Sequence, residues 1–148
     1  MKSILRSSII VAILSLALDS QAATWTFDTA HSVVTFAVKH LMISTVTGNF
    51  AAFEGRVLYE ENNPDTFSVE ATADAASVDT RNEKRDAHLK SADFFDVEKY
   101  PKLTFKSKQV KKIGDGHYTM TGDLTIRDVT KEVTFDVIGF NGTIKDPW

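Results

Sequence analysis

Along most of this chain polar and apolar residues alternate with a period of two. Val34, Phe36 and Val38 fall on one side and Thr35 and Lys39 on the other, which predicts a strand over 32–40 with one dry face. His40 ends that strand on the face of Phe36. A short first strand, Thr24-Trp25-Thr26-Phe27-Asp28, precedes it and turns at Thr29-Ala30-His31. The run Leu41-Met42-Ile43-Ser44-Thr45-Val46 breaks the alternation and reads as a short helix or an apolar lip. Alternation resumes over 48–60, where Phe53, Val57 and Tyr59 share a face and Gly55 marks a bend or bulge. Asn62-Asn63-Pro64-Asp65 is a turn. Over 66–74, Phe67, Val69, Ala71 and Ala73 oppose Ser68, Glu70, Thr72 and Asp74.

Strands also follow over 101–110, with Leu103, Phe105 and Ser107 on one face, and after the Gly114-Asp115-Gly116 hairpin, where Tyr118, Met120, Gly122, Leu124 and Ile126 align. Asp128 sits in a tight turn. Val133, Phe135 and Val137 make the apolar face of a last strand, and Asn141-Gly142 is a further turn signal. The count is about seven strands, mostly joined by short turns. Each has a single apolar face, so an antiparallel meander must fold over and face itself. The expected architecture is mainly β: an antiparallel barrel with an apolar interior and one short helical insertion. No repeat or linker divides the chain. Several inward positions are small (Ala71, Ala73, Ser107, Gly122), which leaves room for an apolar ligand unless large partners such as Phe36 or Phe105 fill it.

The interruption lies over 77–101. Thr80 and Glu83 stand three apart, as a capping box requires, and predict a helix over 81–91. Arg81, Arg85 and His88 then share one face beside Leu89, with Phe94-Phe95 directly after. A basic face next to an aromatic pair suits an anionic head group with an apolar tail. The plainer reading, favoured on the helix alone, is a surface helix whose arginines pair with Glu83 and Asp86 while Phe94 and Phe95 plug the core.

Before the strands stands a targeting signal. Lys2 and Arg6 precede the apolar run 9–18, and Ser20-Gln21-Ala22 supplies small residues for cleavage after Ala22, with Ala23 the rival site. The expected mature unit is a single domain over 23–148, exported to the periplasm. The 148 residues are 43% hydrophobic and 25% charged, enough for one real core. The 17 basic and 20 acidic residues fall to 15 and 19 without Lys2, Arg6 and Asp19, which argues against nucleic acid. The absence of cysteine excludes disulfides, thiolate metal sites and cysteine nucleophiles.

Catalytic and metal chemistry fit poorly. His31 and Ser32 are adjacent and point to opposite faces of an extended chain, so one does not activate the other. No Gly-x-Ser-x-Gly elbow occurs. His31, His40, His88 and His117 show no His-x-His or His-x-x-x-His spacing, and neither metal nor cofactor is expected. Asp79 and Asp93 read as helix-start and turn residues rather than as a catalytic carboxylate pair. Lys102, Lys106 and Lys108, with Lys111 and Lys112 beyond, suit transient contact with an anionic membrane surface; a solvated outer face that discourages edge pairing is favoured.

Several motifs occur together and in order. They are Trp25-x-Phe27-Asp28-x-x-His31-Ser32-x-Val34-x-Phe36, Gly48-x-Phe50-x-x-Phe53-x-Gly55, and Ser77-Val78-Asp79-Thr80. Then come Arg85-Asp86-x-His88-Leu89-x-Ser91-x-Asp93-Phe94-Phe95-Asp96, Tyr100-Pro101, Phe105, and Gly122-x-Leu124-Thr125-Ile126-Arg127-x-Val129-Thr130. With these the chain resembles the YceI-like family, exported lipocalin-like proteins that bind polyisoprenoids. The resemblance implies an eight-stranded barrel whose elongated pore takes the isoprenoid tail. It implies that Phe36, Val38, Phe67, Val69, Phe94, Phe105, Met120 and Phe135 line the core or pore. By the same resemblance His31 and the Arg85-Asp86-x-His88 set are the polar signature residues, with Arg85 and His88 near the polar end. Two departures stand out. Asp128 replaces the usual Gly of the Arg-Gly-Val-Thr turn, and Asp tolerates the left-handed conformation such a turn needs. The sequence also ends at Asp146-Pro147-Trp148, where family chains continue through the closing strands, so a C-terminally incomplete barrel is expected. The expected function is a non-catalytic periplasmic carrier of an isoprenoid or similar long-chain lipid. The alternative is an interaction protein with a packed interior and an open edge that pairs with a partner strand, a second copy of the chain included.

Overall fold

The computed structural model describes residues 23–60 and 66–140. The targeting segment, the Asn62-Asn63-Pro64-Asp65 and Asn141-Gly142 turns and the Asp146-Pro147-Trp148 end lie outside the described residues.

The alternating stretches are strands: β1 (Ala23–Thr26), β2 (Val34–His40), β3 (Ser44–Phe50), β4 (Phe53–Tyr59), β5 (Ser68–Asp74), β6 (Val78–Asp79), β7 (Lys102–Gly114), β8 (His117–Ile126) and β9 (Val129–Ile138). One helix, α1 (Glu83–Lys90), stands between β6 and β7. A six-stranded sheet runs β1-β4-β5-β7-β8-β9 and a three-stranded one runs β2-β3-β6. Every pairing is antiparallel. Among the described residues the two sheets do not join into a closed ring, with β1 and β9 outermost in the larger one.

Among the described residues nine strands replace the expected seven because the stretch 48–60 is divided between two strands in different sheets, and β6 adds a short second partner to β3. The break falls at Ala51-Ala52. No Gly, Pro, Asn or Asp marks it; the switch is held from a distance, where the Ala51 N–H donates to the Ser77 carbonyl (3.1 Å) and the Ala52 N–H to Ser77 Oγ (3.0 Å). Gly55 is neither bend nor bulge. It pairs regularly with Ala71, and a Cβ there would collide with the Phe27 ring of the neighbouring segment. Glycine is needed for that close approach. The register shifts lie between β7 and β8, one after Lys112 and one after Ser107, where one extra residue lets Val110 rejoin the inward face opposite Met120.

The helix begins later than expected. Its N-cap is Asn82, whose side-chain oxygen accepts from the Arg85 N–H (3.0 Å). Thr80 is too far upstream to cap and is buried instead. Arg81, expected on the basic face, lies before the helix with φ of 61°. The turn between β8 and β9 also differs in detail: Arg127, not Asp128, takes the left-handed conformation, with φ of 57°.

Two clusters form the core. Tyr59, Phe67, Tyr118 and Met120 gather where β4 ends and β5 and β8 begin; Phe50, Ala73 and Val78 gather at the opposite end, with Leu89 and Phe95 packed on them. Outside, charges pair across strands: Arg56 and Lys106 both reach Glu70, and Lys108 bridges Asp123 (2.6 Å) and Glu132 (3.2 Å). The lysine stripe is thus interleaved with carboxylates, and such exposed pairs contribute about 0–1 kcal/mol each.

Gly122 gives the sharpest test of the packing. A Cβ there would meet the Lys106 carbonyl oxygen and approach the Phe105 ring to 2.7 Å. Gly122→Ala should therefore destabilise the fold by about 1–3 kcal/mol in urea unfolding, against no more than a few tenths for Thr125→Ser on the outer face.

Candidate functional site

The register places a strip of small and half-buried residues between the two clusters. Gly55, Ala71, Phe105 and Leu124 follow one another across β4, β5, β7 and β8, and Ser107, Gly122 and Val133 form the next row. In the row after, Met120 stands between Val110 and Phe135. Phe105 and Phe135 meet edge to face at 5.1 Å, and Phe135 remains 45% exposed. Aromatic side chains close both ends. Phe140 packs on Tyr59 (4.8 Å), Phe67 (5.0 Å) and Tyr118 (5.9 Å) at one, and Phe50 packs on Phe95 (5.7 Å) and Phe36 (5.5 Å) at the other. From Phe53 to Tyr59 the trough floor is about 20 Å long at the usual strand rise.

The small inward residues do not all leave space. The Phe105 ring fills the position of a Gly122 side chain, and the Phe36 ring that of Gly48 at 2.5 Å. Ser107 Oγ accepts from the Val69 N–H (2.8 Å), so its polar atom is satisfied by the sheet. Ala71 puts only a methyl group on the floor, between the Phe27 ring over Gly55 and the Phe105 ring, and stays half-buried.

The expected pore residues divide accordingly. Phe67 and Met120 are buried in one cluster, with Val69 against it. Phe36 packs against the other. Phe105 and Phe135 line the middle of the trough. Val38 lies far out on β2 and is 55% exposed. Phe94 faces outward, with the His88 ring 4.9 Å away, so Phe95 alone of that pair plugs the core.

The polar residues are not gathered at one point. Arg85 turns back onto Thr80, donating from Nε to its hydroxyl (2.7 Å) and from Nη2 to its carbonyl (2.9 Å). The Thr80 hydroxyl donates in turn to Asp86 Oδ1 (2.6 Å), and that bond holds the Asp86 carboxyl below the ordinary aspartate range. Two of the guanidinium donors are thereby committed within the protein. His88 lies 3.3 Å from Asp93 Oδ2 at the helix end. His31 sits elsewhere, in an exposed turn with its Nδ1 2.6 Å from Asp28 Oδ2. Among the described residues no group of three His, Asp or Glu side chains is placed to hold a metal ion.

Two residues that tie the site together escaped the sequence reading. Thr80 looked like a cap and is a buried hub. Arg127 is part of a motif with no role read for it; its guanidinium donates to the carbonyls of Ala92 (3.2 Å) and Phe94 (2.9 Å) and lies over the Tyr100 ring. It clasps the segment after the helix to the β8–β9 turn. Its signals in the sequence are its place at a two-residue turn and in the Arg-x-Val-Thr motif, and neither points to the segment after the helix.

An antiparallel sheet with one apolar face, flanked by a hairpin and a short helix, is a lipocalin-like framework, and it fits a binding role. The model of the YceI-like domain matches residues 25–145, and the chain belongs to that family. A UPF0312 protein of Staphylococcus aureus strain N315 is 45% identical over 83% of this chain and 68% of its own length. One from Pectobacterium atrosepticum is 41% identical over 100% of this chain and 77% of its own. The crystal structure of BcnA from Burkholderia cenocepacia is similar with a TM-score of 0.70 at 32% identity, over 75% of this chain and 69% of that one. The YCEI protein of Campylobacter jejuni gives a TM-score of 0.59 at 40% identity, over 76% and 66% respectively.

The Asp28–His31 pair has a titration consequence. The hydrogen bond and then the charge of Asp28 raise the His31 pKa above the ordinary histidine value. The pair's contribution is therefore complete below that ordinary value and is lost as pH rises through the raised one. In an NMR titration Asp28→Asn should bring the His31 midpoint down to the ordinary histidine range; an unmoved midpoint would show that the carboxylate does not set it.

Proposed function

We propose that this protein is a non-catalytic carrier of a polyisoprenoid or similar long-chain amphiphile, working in the periplasm after export. The observation that carries the reading is the half-open apolar strip between two aromatic ends, where Phe105 and Phe135 present ring surface that no other described side chain covers fully. A linear apolar chain matches such a strip in shape. Burying about 20 methylene groups at ~0.8 kcal/mol each gives on the order of 15 kcal/mol gross, before the ordering costs of binding. The head group would lie toward the helix end, where His88 and Asp93 stand beside Phe94. The apolar run 9–18 behind Lys2 and Arg6 supports export.

A second reading rests on the sheet edges. Among the described residues β9 pairs only with β8, and β2 only with β3, so each offers a row of backbone groups to another strand. The protein would then be an interaction module, its strip covered by a partner chain.

Uptake of a long-chain fluorescent probe separates the two. Phe135→Asp places a charge on the trough floor at a half-exposed position and should leave the fold standing. On the carrier reading, probe affinity falls at least about tenfold while the unfolding midpoint changes little. Unchanged affinity in a folded variant would remove the trough from the binding site.

A further inference from the structure

The hairpin of β2 and β3 has an unusual end. His40 pairs with Ser44, and the Ile43 N–H donates to the His40 carbonyl (3.1 Å), which closes a two-residue turn at Leu41-Met42. Both turn residues are left-handed, with φ of 50° and 62°. That is the φ signature of a type I′ turn, which Asn-Gly or Gly-Gly ordinarily fills. Here two large apolar side chains fill it, and they are not turned inward. Leu41, Met42 and Ile43 are 74%, 93% and 89% exposed. Backbone strain and apolar exposure thus coincide at one point, and neither helps the isolated molecule.

The hairpin also differs in charge from the rest of the chain. The chain carries a net charge of −3, yet no Asp or Glu occurs over 32–53, while Lys39 and His40 stand directly behind the tip. Lys39 Nζ donates to Thr45 Oγ1 (3.0 Å) across the hairpin. Val34, Phe36 and Phe50 root the other end in the core, so about 20 Å of strand separates the tip from its anchor. An exposed apolar tip with the Lys39 ammonium behind it and no acid in the hairpin sequence is complementary to an anionic bilayer, whose head groups meet the ammonium while the side chains enter the acyl boundary.

We infer that Leu41, Met42 and Ile43 form a prong that docks the protein on an anionic membrane surface. The inference rests on the carrier reading for its purpose, since a lipid carrier must meet a membrane to load. The docking itself is tested with no isoprenoid present. Protein purified after export from its host is floated with vesicles of phosphatidylcholine, alone or mixed with phosphatidylglycerol. The informative variant is the double substitution Leu41→Asn with Met42→Gly, which suits the turn and removes the apolar tip.

The expected result is flotation with the mixed vesicles by the native chain, a loss of at least about tenfold in the variant, and a rise of about 4 °C in its Tm as the strain is relieved. Probe uptake without vesicles should be the same in both chains, so failure of the prong and failure of the carrier reading show separately. Equal flotation of both chains would overturn the proposal. So would no flotation of the native chain, or a native dimer that the variant dissolves, which would make the tip a contact between copies.

Discussion

Three phenylalanine rings lie where glycines leave room for them, and the shape of the molecule depends on that fit. Phe27 covers Gly55, Phe36 covers Gly48, and Phe105 covers Gly122. In each case a Cβ on the glycine would collide with the ring, so the strand backbones can approach and curl only because the side chain is absent. The same fit decides how much of the interior is filled. Aromatic rings occupy both ends and parts of the floor, while the small side chains of the middle rows, Ala71 and Ser107, stay half-buried. A trough that is filled at its ends and half-open between them suits an extended apolar chain better than a compact polar one.

Much of this could be read from the sequence, because every strand keeps one wet face. The outward Thr and Lys positions of β7 and β8 and the inward Phe and Met positions follow from period two alone. What could not be read depends on distant partners. The break at Ala51-Ala52 has no local turn residue and is held by Ser77. The Thr80–Glu83 spacing satisfies a capping box on paper, yet Thr80 is buried under Arg85 and Asp86, and Asn82 takes the cap. Gly55 signals a backbone irregularity to any local rule; its real partner is Phe27, far away in the chain. At Leu41-Met42 the usual turn chemistry is missing altogether, so that stretch resembled a helix or lip where the structure has a strained hairpin end.

The candidate site was legible in the same uneven way. Membership of the apolar face is a parity argument, and Phe36, Phe67, Phe105, Met120 and Phe135 all fall on it. Exposure is a tertiary property, and it separates the buried Phe67 and Met120 from the half-open Phe135. Polar residues are harder still. Arg85 resembles an anion ligand in the sequence, while in the fold two of its donors are spent on Thr80. Arg127 resembles surface and in fact holds the segment after α1 to the sheet.

The central claim is that the apolar strip is occupied by a long-chain lipid in the working protein. Mass spectrometry on protein exported from its own host, sprayed first under native conditions and then denatured, tests this most directly. The account predicts a retained mass that leaves on denaturation and is extractable as a long-chain amphiphile. A native chain that carries no such mass, and is recovered instead in a stable complex with another polypeptide, would contradict it.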